Sequence, residues 1–264
     1  MISPTSSTPD PGQDLGWCFP DTEDGILKAV NQGATHLWAN TILFAAHPLQ
    51  TSKGLEEHLD RVQVVGQGPL VVEKYDDKRY VNNLLRRLGG FTMPRAWDIC
   101  ASEDTKEIID SLPYPIVAKP VRGRGSQGVR VCHSPGELAT HVDALLAASS
   151  MIMLEQFLQG EEITITVMPP TEPGGGYWSL PVVTRFNHRQ GIAPYNGVVA
   201  VTANSRPIDT KSALDPAYIQ ATQECEKAAE VLGVTAPIRI DARRFREGSN
   251  FALFDVNMKP VRIR

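Results

Sequence analysis

Near the end of the chain, two β-patterned segments carry polar residues on alternate positions, and this pair limits the fold more than any other feature. The first reads Arg239-Ile240-Asp241 and the second Asp255-Val256-Asn257. Residues two apart on a strand point to one face, so Arg239 shares a side with Asp241, and Asp255 with Asn257. Apolar residues at 238, 240, 252, 254 and 256 would fill the opposite face, and a turn at Glu247-Gly248-Ser249 joins the two strands. The sequence thus predicts two strands with a dry side and a polar side. Asp241, Asp255 and Asn257 supply oxygen donors, the hard set that Mg2+ prefers when it also holds phosphates. A solvent-facing polar stripe satisfies the same alternation, and both readings require the apolar side to be packed.

Helix and strand patterns alternate along the rest of the chain, which predicts an α/β or α+β architecture. Asp21 reads as the N-cap of a helix with Glu23 and Asp24 in its first turn, running to about Gln32 and stopped by Gly33. Thr35 to Phe44 reads as a buried strand, and a short helix is expected from Gly54 to Arg61, followed by the apolar stretches VQVV and PLVVE. Asp76-Asp77-Lys78 opens a helix with Val81, Leu84, Leu85 and Leu88 at helical spacing, closed by Gly89-Gly90. A further helix is expected from Glu103 to Leu112 with Ser102 as cap. PIVAKP (115–120) is strand-like, and Ser134-Pro135-Gly136-Glu137 is a capping box that starts another helix. The second half is richer in strands: MIMLEQF, EEITITVM, a long segment from Tyr177 to Val201, PIRIDARRF and FALFDVN. One helix interrupts them, from Asp215-Pro216 to Leu232, with Gly233 as its stop.

Two further motifs carry chemistry. Lys119-Pro120 precedes Arg122-Gly123-Arg124-Gly125-Ser126-Gln127-Gly128, whose residues 123–128 fit G-x-G-x-x-G. That signature indicates a dinucleotide site only where the glycines open a helix. Here they lead into the β-patterned Val129-Arg130-Val131-Cys132, so strand, glycine-rich turn and strand make a hairpin flap. Its backbone N–H groups and the Ser126 hydroxyl can close over phosphates, with Lys119 as a point charge beside them. A surface hairpin with scattered basic residues has the same pattern. The second motif, Leu154-Glu155-Gln156-Phe157-Leu158-Gln159-Gly160-Glu161-Glu162, is an acid ending one strand, a short link with a glycine, and an acid entering the next. It suits a hinge whose backbone meets an adenine edge while a carboxylate accepts ribose hydroxyls, and it equally suits a β-hairpin with solvated glutamates.

Composition narrows the class. The 264 residues, 42% hydrophobic and 21% charged, are those of an ordinary globular protein, and a net charge of -4 without a long basic run argues against a nucleic-acid grip. The four cysteines are far apart, without the close pairs of a zinc site or a disulfide framework, so reduced thiols and a cytosolic setting are expected. No apolar run approaches the roughly 20 residues that span a bilayer. The Pro/Ser-rich first dozen residues predict a disordered start.

Taken in order, phosphate lysine and flap, hinge, and metal carboxylates, the chain resembles the ATP-grasp enzymes, the superfamily that includes D-alanine–D-alanine ligase and biotin carboxylase, over roughly Asp76 to Pro260. The resemblance implies an α/β (α+β) ATP-grasp fold in which two α+β lobes grip ATP, preceded by a partial Rossmann-like domain. Residues 1–75 would be that partial domain and 76–264 the ATP-grasp domain, with an N-terminal lobe at 76–154 and a C-terminal lobe at 155–264. Lys78 in YDDKRY and Lys119 in VAKP match nucleotide-binding lysines, with Gly125 and Ser126 in the flap between them and the hinge. Glu155, Leu158 and Glu162 match the hinge, with a backbone adenine contact at Leu158 and a ribose acid at Glu162. Asp241, Asp255 and Asn257 match the Mg2+ set, for which Mn2+ is a substitute, and Arg239 matches an arginine that meets the phosphate or the reacting oxygen.

The implied reaction is an ATP-dependent ligation in which a carboxylate becomes an acyl phosphate and an amine displaces the phosphate. A carboxylase acting through carboxyphosphate, and a nucleotide-binding module without turnover, are the alternatives. The segment Arg185 to Arg206 is expected to line the acceptor site, with His188, Arg189 and Tyr195 as contacts and His188 in a catalytic role. Expected partners are small-molecule carboxylate and amine substrates and a second copy of the chain, with no nucleic acid and no membrane. Family members usually continue beyond the Asn-x-x-Pro segment with a glycine-containing loop, whereas this sequence stops at Arg264, seven residues after Asn257, so a shortened C-terminal lobe is expected.

Overall fold

A computed structural model describes residues 18–38, 42–58, 60–102, 104–123, 125–193 and 201–258. The chain forms two compact units, Met1–Lys74 and Tyr75–Arg264. In the first, helix α1 (Glu23–Asn31) is followed by strand β1 (His36–Leu37), the single-turn helices α2 (Pro48–Thr51) and α3 (Lys53–Glu56), strand β2 (Gln63–Val64) and helix α4 (Pro69–Tyr75) at the boundary. β1 and β2 pair in parallel, and Ile26, Val30, Leu55 and Val62 form a small buried cluster. Two expectations are corrected here. Thr22, not Asp21, caps α1 by accepting from the Gly25 N–H, while Asp21 takes the His47 ring nitrogen at 2.9 Å. The strand expected over Thr35–Phe44 is regular only at His36–Leu37, neither of which is buried, and part of that span lies outside the described residues.

The larger unit opens with helix α5 (Lys78–Leu88), capped by Asp77, whose carboxylate accepts from the Tyr80 N–H at 2.8 Å. Strand β3 (Ala96–Cys100), helix α6 (Lys106–Ser111), β4 (Ile116–Pro120), β5 (Arg130–Cys132), α7 (Pro135–Leu146) and β6 (Met151–Gln156) follow. α6 begins three residues later than Ser102 and the acids around it suggest, with Thr105 at the cap position and no capping side-chain bond. The four strands form one antiparallel sheet in the order β3-β6-β4-β5. One face packs Ile99, Ile116, Ala118, Ile152 and Leu154 against Ile109, Leu138 and Val142 of α6 and α7.

The second lobe holds β7 (Glu162–Met168), β8 (Trp178–Ser179), β9 (Val183–Arg185), β10 (Ser205–Pro207), α8 (Pro216–Leu232), β11 (Ile238–Arg244) and β12 (Phe251–Asn257), with 3-10 turns at Val201–Ala203 and Ser212–Leu214. Over its described residues the strand-like segment from Tyr177 to Val201 forms the short strands β8 and β9, and residues 194–200 of it lie outside the described residues. The sheet is antiparallel in the order β10-β9-β7-β11-β12, and β8 pairs with β7. α8 starts with Pro216 in its first turn, Asp215 as cap, and ends at Gly233, whose φ of 62° is a conformation that glycine takes without a Cβ penalty. Its Ala221, Cys225, Ala228 and Ala229 lie on one face of the sheet with Ile163, Ile165, Val167, Ile238 and Ile240.

Candidate active site

The faces that the helices leave uncovered carry the chemistry. On the first sheet, Lys119 of β4 stands opposite Met153, and Glu155 of β6 opposite Val117, which puts the two charged residues diagonally on one face. The Lys119 ammonium lies 2.6 Å from Glu155 Oε2, with both side chains at most 5% exposed. Helix α5 adds a polar stripe at i, i+4 and i+8. Lys78 Nζ lies 3.1 Å from Asp255 Oδ1, Asn82 donates to Glu155 Oε1 at 3.0 Å, and Arg86 lies 3.6 Å from the same oxygen.

On the second sheet, β7 and β11 pair so that Glu162 faces Arg243, Thr164 faces Asp241, and Thr166 faces Arg239, while Asp255 and Asn257 of β12 oppose Asp241 and Arg239. These side chains therefore share one surface. Arg239 grips Asp241 in a fork, Nε to Oδ1 at 3.0 Å and a terminal nitrogen to Oδ2 at 2.9 Å. Thr164 donates to Asp241 Oδ1 at 2.6 Å, and Asn257 Nδ2 reaches Asp241 and Asp255 at 3.3 and 3.4 Å. The negative charge of Asp241 raises the Arg239 pKa against the opposing effect of burial. For Asp255, burial is the largest single influence and pushes the pKa up, but Lys78, Lys119 and Arg239 together outweigh it and hold the carboxyl below its ordinary value.

β12 departs from the simple alternation. Asp255 pairs with Asp241 but Leu253 pairs with Ala242, so Phe254 is the extra residue of a β-bulge. Leu253 thereby enters the core where the sequence pattern expected position 254. Phe254 turns toward the cleft, its ring 5.6 Å from Lys119 Nζ, and its carbonyl accepts from Lys119 at 3.1 Å and from Asn82 at 3.3 Å. The bulge is thus what joins the lysine side of the cleft to the carboxylate side.

The link between the sheets runs from Gln156 to Glu162. Gly160 is required there by close approach: a Cβ would lie 2.7 Å from the Arg244 Cβ and 3.0 Å from the Arg246 backbone. The N–H groups of residues 156, 157, 159 and 160 all find backbone carbonyls, whereas Leu158 N–H has no partner among the described residues. The hairpin between β4 and β5 carries Gly125 and Ser126 at φ 62° and 59°, a backbone region that glycine enters freely and serine seldom does. Lys78 ties the root of this hairpin down by donating to the Gly123 carbonyl at 3.2 Å.

The acceptor segment is arranged differently from the expectation. His188 Nε2 lies 2.9 Å from Glu162 Oε2, which Arg243 approaches at 3.7 Å, so His188 stands with the hinge acid. Arg189 is exposed in a turn bridged to Ile192, and Tyr195 lies outside the described residues. Lys78, Lys119, Glu155, Arg239, Asp241, Asp255 and Asn257 come together in the cleft; Arg189 does not join them. Asn82, Arg86, Thr164 and Arg243 are additions that the sequence motifs do not name, although the i, i+4, i+8 spacing from Lys78 and the strand alternation from Glu162 and Asp241 carry the signal for them.

The oxygen donors fit a magnesium ion in part. Asp255 Oδ1 is shielded from solvent and, despite the nearby Lys78 charge, has no hydrogen-bond partner among the described residues. Asp241, by contrast, has both oxygens engaged by Arg239. Among the described residues no group of three or more His, Cys, Asp or Glu forms a metal cluster, so the set is two carboxylates and an amide.

Two antiparallel α+β lobes, a glycine-rich hairpin on one, a carboxylate-bearing sheet on the other and a short hinge between them define the ATP-grasp class. More particularly, the chain belongs to the family described as D-ala D-ala ligase C-terminus, whose model matches residues 91–261. It is 28% identical over 159 residues to the D-alanine–D-alanine ligase of Actinobacillus succinogenes, covering 60% of this chain and 48% of that protein. Similarity to the carbamoyl phosphate synthase large chain of Deinococcus deserti is 29% over 116 residues, 43% of this chain and 11% of that one. The chain thus spans about half the length of the ligase and a small part of the synthase. Among solved structures, the D-alanine–D-alanine ligase of Bacillus anthracis complexed with ATP shares the fold at a TM-score of 0.62 and 17% identity, over 91% of this chain and 73% of that one. Among the described residues no helix is long and apolar enough to cross a membrane.

Proposed function

We propose that this chain carries the catalytic core of an ATP- and Mg2+-dependent ligase that converts a carboxylate into an acyl phosphate for attack by an amine. The observation that supports this most directly is the meeting of Lys78 and Lys119 with Asp241, Asp255 and Asn257 in one cleft beside an unpaired hinge N–H. In this reading Lys78 and Lys119 bind phosphate oxygens and the Gly125-Ser126 turn covers them. Leu158 N–H pairs with the adenine edge, and Glu162 accepts ribose hydroxyls. His188 and Arg243 hold Glu162 in place, which makes His188 a positioning residue and not a contact of the acceptor. Asp241, Asp255 and Asn257 would hold Mg2+, which supplies neutralisation of phosphate charge.

Phosphoryl transfer asks the protein mainly for alignment and charge stabilisation. An acceptor carboxylate oxygen takes the γ-phosphoryl group as ADP leaves, and an amine nitrogen then displaces phosphate. Arg239, on the carboxylate side of the cleft, is suited to the phosphoryl oxygens. The test is calorimetric titration of Mg-ATP into the wild type and into Asp255→Ala/Asn257→Ala, followed by a screen of carboxylate and amine pairs for ADP release. Magnesium-dependent binding that the double variant loses, with ADP release needing both substrates, is expected. Binding with no pair-dependent release would reassign the chain to nucleotide binding without turnover, and no binding by folded wild type would remove the ATP reading.

A further inference from the structure

In the arrangement described above, each acid of the cleft is matched by a protein cation. Lys119 lies on Glu155 at 2.6 Å, Lys78 on Asp255 at 3.1 Å, and Arg239 on Asp241 at 2.9 Å. The second and third pairs involve the same carboxylates that would hold Mg2+. The Asp241 pair is the decisive one, because the Arg239 fork takes one acceptor position on each carboxylate oxygen and leaves only one on each for any other partner. Thr164 and Asn257 fill further acceptor positions on the same carboxylate. Asp241 is 8% exposed, so an uncompensated charge there would be costly, and the arginine removes that cost in the metal-free protein.

We infer that Arg239 is a cation placeholder that couples nucleotide to metal. Metal entry requires Arg239 to leave Asp241, and a freed guanidinium in a half-buried cleft needs another anion. The phosphate chain of the nucleotide is that anion. Neither ligand alone completes the exchange: metal without nucleotide strands Arg239, and nucleotide without metal must compete with Asp241 for it. The two ligands therefore bind with positive coupling, and by linkage each strengthens the other by the same factor. Lys78 acts in the same sense on Asp255 through a single 3.1 Å contact, so its share of the coupling is smaller. This inference rests on the nucleotide reading for the identity of the second ligand, but not for the closed state of Asp241.

Mn2+ is titrated by electron paramagnetic resonance into the wild type, Arg239→Met and Arg239→Lys, with and without a non-hydrolysable ATP analogue, and folding is checked by circular dichroism. Without nucleotide, Arg239→Met is expected to bind Mn2+ about tenfold more tightly than wild type, and Arg239→Lys to fall between them. The ratio of metal affinities with and without the analogue is expected to shrink in the same order. Equal metal affinity in wild type and Arg239→Met, or an unchanged ratio, would overturn the placeholder. Should Arg239→Met not fold, the Arg239→Lys comparison decides the matter in the same way. Failure of the analogue to bind any variant would defeat the nucleotide reading, while the nucleotide-free titration would still decide whether Arg239 blocks the metal.

Discussion

The two faces of the second sheet are built by the same strands and obey opposite rules. Toward α8, Ile163, Ile165, Val167, Ile238, Ile240 and Ala242 are shielded completely from solvent and belong to one apolar cluster. Toward the cleft, Thr164, Arg239, Asp241, Asp255 and Asn257 pair among themselves, and Glu162 pairs with His188 and Arg243. The apolar face is stabilised by burial in proportion to area, and its residues are interchangeable within limits of volume. The polar face gains little from its ion pairs, since desolvation offsets most of their attraction. Such pairs stabilise the fold no better than hydrophobic residues would. A face that keeps them is organised for something the free protein does not contain, and that contrast can be broken by experiment.

The largest effect is expected where a buried pair loses one partner. Lys119→Met leaves Glu155 with only Asn82 and the more distant Arg86, and should cost about 3 kcal/mol in denaturant unfolding, the low end for breaking a buried ion pair. Lys119→Met/Glu155→Leu should recover most of that stability and still fail to bind ATP. A double variant as unstable as the single one would mean that the pair itself, and not an orphaned charge, holds the lobe together.

An intermediate effect is expected on the opposite face. Ile240→Val removes one methyl from a fully buried position and should cost about 1 kcal/mol, with nucleotide affinity unchanged because the side chain points at α8. Loss of nucleotide affinity at unchanged stability would show that the two faces are not independent, and would weaken the contrast drawn above.

The sequence made the apolar face and most of the cleft legible because both follow strict periods. Alternation in β11 placed Arg239 with Asp241, helical spacing marked α5, and the Ser134, Asp77 and Asp215 caps fell where composition indicated. What escaped depends on tertiary geometry. The bulge at Phe254 swaps which of residues 253 and 254 enters the core, and nothing local announces it. The place of His188 in a polar loop suggests an acceptor contact, but its partner Glu162 is 26 positions away and becomes its neighbour only when β9 pairs with β7. Asn82 lies beside Val81 on an amphipathic helix, and its burial is set by Glu155 and the Phe254 carbonyl, which arrive from two other elements.

The smallest expected effect concerns acid. Three cations hold the folded-state pKa of Asp255 below its ordinary value against the opposing influence of burial. Below about 3.9, the ordinary aspartate value, the unfolded chain binds a proton that the folded chain still refuses, so stability falls with falling pH. The contribution is present in full above that value and is lost as pH drops through the folded-state pKa. Asp255→Asn removes the titrating group, and urea unfolding repeated from neutral pH down into the acid range should show a shallower decline for the variant than for wild type. An equally steep decline would mean that other carboxylates carry the acid sensitivity. A steeper decline in the variant would mean that the remaining cleft carboxylates, once the Asp255 charge is gone, differ more in proton uptake between the folded and unfolded chain. In either case the acid sensitivity would belong to other carboxylates and not to Asp255.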